Sequence, residues 1–202
     1  MDYLISNLRE YISVPNNLVD FIFQKGIRRS FKARSRLLSP DEVQYDLIFV
    51  VDGIVRNYYK KDNLEWTSKF LKAGDFVLSI DNFLFDLPCG EYIETCTPVE
   101  VIMFSKGDYE ELLMQYPELN VVAKKIGDRR LRENNSRMYN WRMLSSAERY
   151  NQFVQQNPDL VKYVQLQHIA SYLDISPYNL SRIRSSFKSM SGELGNSIKR
   201  TF

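Results

Sequence analysis

The chain is poor in metal-binding side chains: its 202 residues include two cysteines, Cys89 and Cys96, and a single histidine, His168. A zinc or iron–sulfur site on that cysteine pair would be short of ligands, so two free thiols and no metal are expected. A secretion signal is missing too. The opening MDYLISNLREY has no basic segment leading into an apolar core, which points to a cytoplasmic, reducing setting. No apolar run approaches the length that crosses a bilayer, so no membrane contact is expected. A nucleophile, base and orienter set, paired metal ligands and a phosphate loop are all lacking, so no catalytic residue is assigned and an enzyme is not expected. There is little excess charge of one sign. A net charge of +2 does not by itself predict a nucleic-acid partner, but its distribution is uneven. From Ser145 onward there are seven Lys/Arg against four Asp/Glu, whereas everything before has 20 against 21.

The positive end contains LQHIASYLDISPYNLSRIRSSFK, residues 166–188. Leu166, Ile169, Ala170 and Leu173 fall at helical spacing, and the small Ala170 permits close approach of a neighbouring helix. Asp174, Ile175 and Ser176 break the pattern, and Ser176 before Pro177 is a helix start signal: a hydroxyl to cap free N–H groups, then a fixed φ suited to the first turn. In the second helix the spacing of Leu180, Ile183 and Phe187 predicts an inward face. The opposite face carries Tyr178, Ser181, Arg182 and Ser185, flanked by Asn179, Arg184 and Lys188, and no acid lies between Asp174 and Glu193. A helix that enters a major groove needs this division between a packed side and a side of donors and positive charge. The plainer alternative is a small helical domain with an exposed basic face. His168 is expected to be a surface or phosphate-facing side chain.

Upstream, Leu4 to about Phe23 has apolar residues three and four apart around Pro15, predicting two short helices. Between Arg28 and Phe104 the runs LIFVVD, IVRNYY, WTSKFL, EYIET and VEVIMF alternate with the turn signals SPDE, KKDN, KAGD and CTP, predicting an antiparallel sandwich or barrel. Gly53 inside the first long run predicts a bend or bulge. The cluster Arg28, Arg29, Lys32, Arg34 and Arg36 reads as a solvated strand face. After Ser105 the period is helical: DYEELLMQY stops before Pro117, and Pro117 opens a long helix to about Met143. In that helix Leu131, Met138 and Trp141 make a broken stripe among many charges, and a solvated helix packed on its own barrel stands level with dimerisation. SSAERYNQFVQQN begins at a serine cap and ends before Pro158, with a linker around Met143 to Ala147.

A β-rich barrel, a long helix and a helix-turn-helix in that order resemble the Crp/Fnr transcription regulators. Segments that carry the resemblance are DLIFVVDGIVRNYY, KAGDFV, SSAERY and HIASYLDISPYNLSRIR, spread over nearly the whole chain. The resemblance implies an α+β chain: an antiparallel double-stranded β-helix (jelly roll) sensor domain with N-terminal helices over 1–116, a central dimerisation helix over 117–144, and a helix-turn-helix domain over 145–202. The tail SMSGELGNSIKRTF has little strand pattern, so the wing that follows the motif in this family is expected to be reduced or absent. Asp174 stands where a glycine is common, and aspartate tolerates a left-handed backbone.

Cyclic-nucleotide-binding members place a glycine and a glutamate after the GDF motif and, further on, an arginine for the phosphate. Here those positions read Leu78, Ser79 and Cys89, with Asp81, Asp86 and Glu91 nearby to repel an anion. No cofactor is assigned and a response to cyclic AMP or cyclic GMP is not expected. A degenerate effector pocket would be lined by Phe76, Leu78, Ser79, Asn82, Cys89 and Tyr92. The DNA contacts are assigned to Gln165, Gln167, Ser176, Tyr178, Asn179, Ser181, Arg182, Arg184 and Lys188, with Arg182 on a base. Expected partners are double-stranded DNA bearing an inverted repeat, a second copy of the chain, and RNA polymerase as a candidate. The competing reading is a ligand-binding or protein-interaction module with a vestigial helix-turn-helix.

Overall fold

The computed structural model describes residues 1–186, which form two compact units, Met1–Asn135 and a second starting at Ser136. In the first, Pro15 separates α1 (Asp2–Arg9) from α2 (Asn16–Lys25), as the spacing predicts. Two four-stranded antiparallel sheets follow. One runs β1 (Ile27–Phe31), β8 (Val99–Ser105), β3 (Asp46–Asp52), β6 (Phe76–Val77); the other runs β2 (Arg36–Leu38), β7 (Tyr92–Thr95), β4 (Ile54–Lys61), β5 (Leu64–Lys72). This is the predicted jelly roll. The run LIFVV is continuous rather than alternating because β3 is covered on both faces. Ile48 and Val50 join Val55, Leu71, Ile93 and Val101 between the sheets, while Phe49 turns outward with Ile102 and Phe104 beneath Leu4, Leu8, Leu18 and Ile22.

Gly53 makes the bend expected of it, with φ +92°, between β3 and β4. The KKDN signal becomes a tight hairpin in which Asp62 and Asn63 both take positive φ, a conformation these two residues tolerate and one that suits the twist of the flanking strands. Three short strands, β1, β2 and β6, carry no periodic signal long enough to read, and neither does the helical turn at Ile80–Leu84. Arg28 and Arg29 lie on β1 and are exposed, the solvated strand face expected for that cluster. Both cysteines are free. Burial pushes the Cys96 thiol up to about 12, so it stays protonated and unreactive at neutral pH.

Past the roll, α3 (Lys106–Gln115) precedes α4 (Leu119–Met143). Pro117 does not open α4. It sits in a turn closed by Leu119 N–H on the Tyr116 carbonyl at 2.9 Å, and the helix begins two residues later. Its buried residues, Leu119 and Val122, are both in the first turn. The second unit packs α5 (Ser146–Gln156), α6 (Pro158–Tyr163), α7 (Leu166–Leu173) and a helix over 177–186, here α8. Tyr150, Phe153, Leu160, Ile169, Ala170, Leu173 and Leu180 form its buried interior. At the start of α5, Ser145 and Glu148 complete a reciprocal capping box, which holds the Glu148 carboxyl below its ordinary range through bonds to Ser145. Ser145→Ala is expected to lower stability by about 1 kcal/mol, read as an earlier urea midpoint at unchanged slope.

Candidate nucleic-acid interface

The turn between α7 and α8 is built from residues that satisfy helix ends. Asp174 takes φ 54° and ψ 52°, the left-handed conformation that closes α7 without glycine. The following Ile175 N–H reaches back to the Ala170 carbonyl at 3.0 Å and its side chain is buried. Ser176 Oγ then accepts from Asn179 N–H at 3.2 Å, capping α8 as its place before Pro177 predicts. Arg149 of α5 braces the turn. Its guanidinium donates to the carbonyls of Leu144 (2.9 Å), Leu173 (3.0 Å) and Asp174 (3.0 Å), putting a cation against the C-terminal end of α7. Spacing alone gives no sign of this role, because the two acceptors in the turn lie 24 and 25 residues away.

Leu180 is fully buried and anchors α8. The other side presents Tyr178, 79% exposed, with Ser181, Arg182 and Ser185, while Asn179 and Arg184 are half-buried on the flanks. Neither Arg182 nor Arg184 enters an ion pair among the described residues. Gln165 and Gln167 are exposed at the start of α7, where Gln167 Nε2 donates a hydrogen bond to Gln165 Oε1 at 3.1 Å. Phe187, Lys188 and the tail that would form a wing lie outside the described residues. His168 corrects an expectation: it is buried, 8% exposed, beside Ile169 and Ala170. On a helix as short as α7, wedged among α5, α6 and α8, three consecutive positions are covered and no phosphate-facing side remains for it.

The six expected pocket residues are not gathered in one place. Phe76 packs on Phe49, ring centroids 5.0 Å apart, on the face covered by the N-terminal helices. Tyr92 stacks on Tyr58 at 5.0 Å and lies under Arg36, with Glu94, on the outer face of its sheet. Strand alternation puts both on the opposite side from Val77 and Ile93, which line the interior with Cys89. Ser79 and Asn82 belong to the scaffold. Ser79 N–H donates to Gln44 Oε1 at 2.8 Å, Gln44 N–H donates to Asn82 Oδ1, and Asn82 Nδ2 reaches the Glu42 carbonyl at 3.0 Å. Leu78 is half-buried between them. In the KAGDFV turn, Asp75 accepts from Lys72 N–H at 3.0 Å and from both Arg129 and Arg130 of α4 at 2.9 and 2.8 Å. Asp86 is neutralised by Lys106 at 2.7 Å.

Among the described residues no helix is long and apolar enough to cross a membrane, and no group of three His, Cys, Asp or Glu is placed to hold a metal ion. No protein-family model and no curated protein matches the sequence. Solved structures do match. FixK2 from Bradyrhizobium japonicum superposes with a TM-score of 0.71 at 17% identity over 82% of this chain and 86% of its own. The c-di-GMP responsive global regulator CLP of Xanthomonas campestris gives 0.67 at 18% identity over 88% and 93%. A Crp/Fnr family protein from Eubacterium rectale gives 0.69 at 14% identity over 90% and 88%. Likeness on this scale, spanning jelly roll, long helix and helix-turn-helix, identifies the chain's fold as that of the Crp/Fnr transcription regulators.

Proposed function

We propose that this chain is a sequence-specific DNA-binding transcription regulator that acts as a homodimer on an inverted-repeat operator. The observation that carries the reading is the exposed face of α8, where Tyr178, Ser181, Arg182 and Ser185 stand out opposite the buried Leu180. Arg182 is the base contact, because a planar guanidinium pairs with guanine O6 and N7 together. Arg184 and Lys188 hold phosphates, Gln165 and Gln167 help at the start of α7, and Ser176, Tyr178, Asn179 and Ser181 reach bases or backbone. The sensor domain is 1–116, the segment 117–144 containing α4 is the dimerisation element, and the DNA-binding domain is 145–202. Dimerisation is supported by α4, whose later apolar residues Leu131 (61%), Met138 and Trp141 are exposed although the helix buries its first turn. The protein acts in the cytoplasm and does not respond to cyclic AMP: Leu78 and Cys89 replace the groups a cyclic phosphate needs, and the Ser79 N–H is already bonded to Gln44.

Selection from randomised duplexes at low and moderate salt tests this. The expected product is an inverted repeat whose half-sites are about 34 Å apart, bound with steep salt dependence. Absence of salt-sensitive binding to any duplex would favour a ligand-binding or protein-interaction module with a vestigial helix-turn-helix.

A further inference from the structure

The inner face of the β7–β4–β5 part of the sheet changes character toward the β4–β5 hairpin. Val55 and Ile93 are apolar and buried, but the next inward position on β4 is Asn57, directly opposite Ile93 and fully buried. Asn57 Nδ2 donates to Glu91 Oε2 at 3.2 Å, and Ser68 Oγ donates to Glu91 Oε1 at 3.1 Å. Glu91 itself is 7% exposed. The other end of the amide is unsatisfied: Asn57 Oδ1 is buried and has no hydrogen-bond partner among the described residues. A carboxylate and an empty amide oxygen therefore stand side by side out of water, an arrangement that costs free energy until a donor arrives.

Above them the cross-strand pair Tyr59 and Trp66 is partly exposed, with Tyr59 near enough to Glu91 to feel its charge. Burial first, then the Glu91 charge, pushes the Tyr59 phenol up to about 12, so it remains a neutral donor at physiological pH. Asp81 adds a second negative charge felt at Tyr59. Lys69, opposite Asn57 in the register, brings one positive charge to the same face. Cys89 packs in the apolar interior close by and supplies no cation. Phosphates and carboxylates meet a negative wall here.

We propose that Asn57, Glu91, Tyr59 and Trp66 form a binding site for a small organic amine in its ammonium form. Its N–H groups bond Glu91 and the free Asn57 Oδ1, and its organic part lies on the Tyr59–Trp66 pair. An ammonium carries three donors and no acceptor, matching an acceptor-rich floor, and the faces of Tyr and Trp attract cations. As the effector site the proposal deepens the regulator reading and rests on it; amine binding itself does not, and is measured without DNA.

The full chain is titrated with 2-phenylethylamine, followed by thermal shift and tryptophan fluorescence, with phenylacetate and cyclic AMP as anionic comparators. Saturable stabilisation by the amine alone is expected, and Glu91→Gln should weaken it about tenfold or more. No saturable amine binding, equal binding by Glu91→Gln, or stabilisation by either anion would overturn the proposal. Should circular dichroism show Glu91→Gln unfolded, Trp66→Ala, changed at a partly exposed position, takes its place. Unchanged amine affinity in that variant sinks the proposal, and a loss supports it.

Discussion

Arg182→Ala is expected to weaken binding to a selected operator by about 1–3 kcal/mol and to relax the preference at one base step, leaving the other positions as selective as before. The size follows from what is lost. A guanidinium fork makes two parallel bonds to guanine, and Arg182 is exposed on α8 with no ion pair among the described residues to occupy it. Because its side chain is exposed and its carbonyl alone accepts from Ser186, removing the guanidinium leaves folding nearly untouched. Thermal stability should therefore match the parent while affinity falls, which separates a contact from a fold defect. Lys188→Ala is the comparator: it should weaken all sequences alike and flatten the salt dependence by about one unit. Equal affinity and selectivity of Arg182→Ala and the parent would show that another face of α8 meets DNA.

Gly53→Val is expected to cost about 3 kcal/mol or more, enough to leave much of a marginally stable domain unfolded. Two independent penalties act at one position. The backbone has φ +92°, which a β-branched residue adopts only under strain, and an added Cβ would lie 2.3 Å from the Pro98 carbonyl oxygen and 2.9 Å from Val99 Cα. Those atoms are backbone and cannot swing aside. The bend carries the chain from one sheet to the other, from β3 to β4, so relaxation there would disturb the interior formed by Val50, Val55 and Val99 together. Urea denaturation checks it; a midpoint within experimental error of the parent would mean that the loop at Pro98 moves freely.

The sequence made legible whatever depends on local pattern. Long strands announce themselves by length and β-branched content, Gly53 by its place inside a strand run, and the α7–α8 turn by a serine before a proline. Side-chain direction was less legible. Phe76 and Tyr92 are near the cassette along the chain, yet a period of two sends them to the outer faces, and a register not known in advance decides which way. His168 departs from its expected exposure for a related reason: in a helix of 8 residues packed on several sides, one apolar stripe does not describe the buried surface. Long-range polar contacts left no trace in the sequence. Arg149, Gln44 and Asn57 each find partners 24 or more residues away, and nothing in their neighbours distinguishes them from solvated polar residues.

The grip of Arg129 and Arg130 on Asp75 bears on torsion. Adjacent residues on a helix are about 100° apart around its axis, yet both guanidiniums converge on the same carboxylate oxygen, Oδ1. Twisting α4 in one sense draws Arg129 away while Arg130 advances, and the opposite twist reverses the two. Asp75 therefore acts as a detent with a restoring pull from either side, and it is held in the turn between β5 and β6 by Lys72 N–H and Val50 N–H. Any rotation of the long helix is resisted at the roll and must be either shared by the KAGDFV turn or taken up further along, past Glu133.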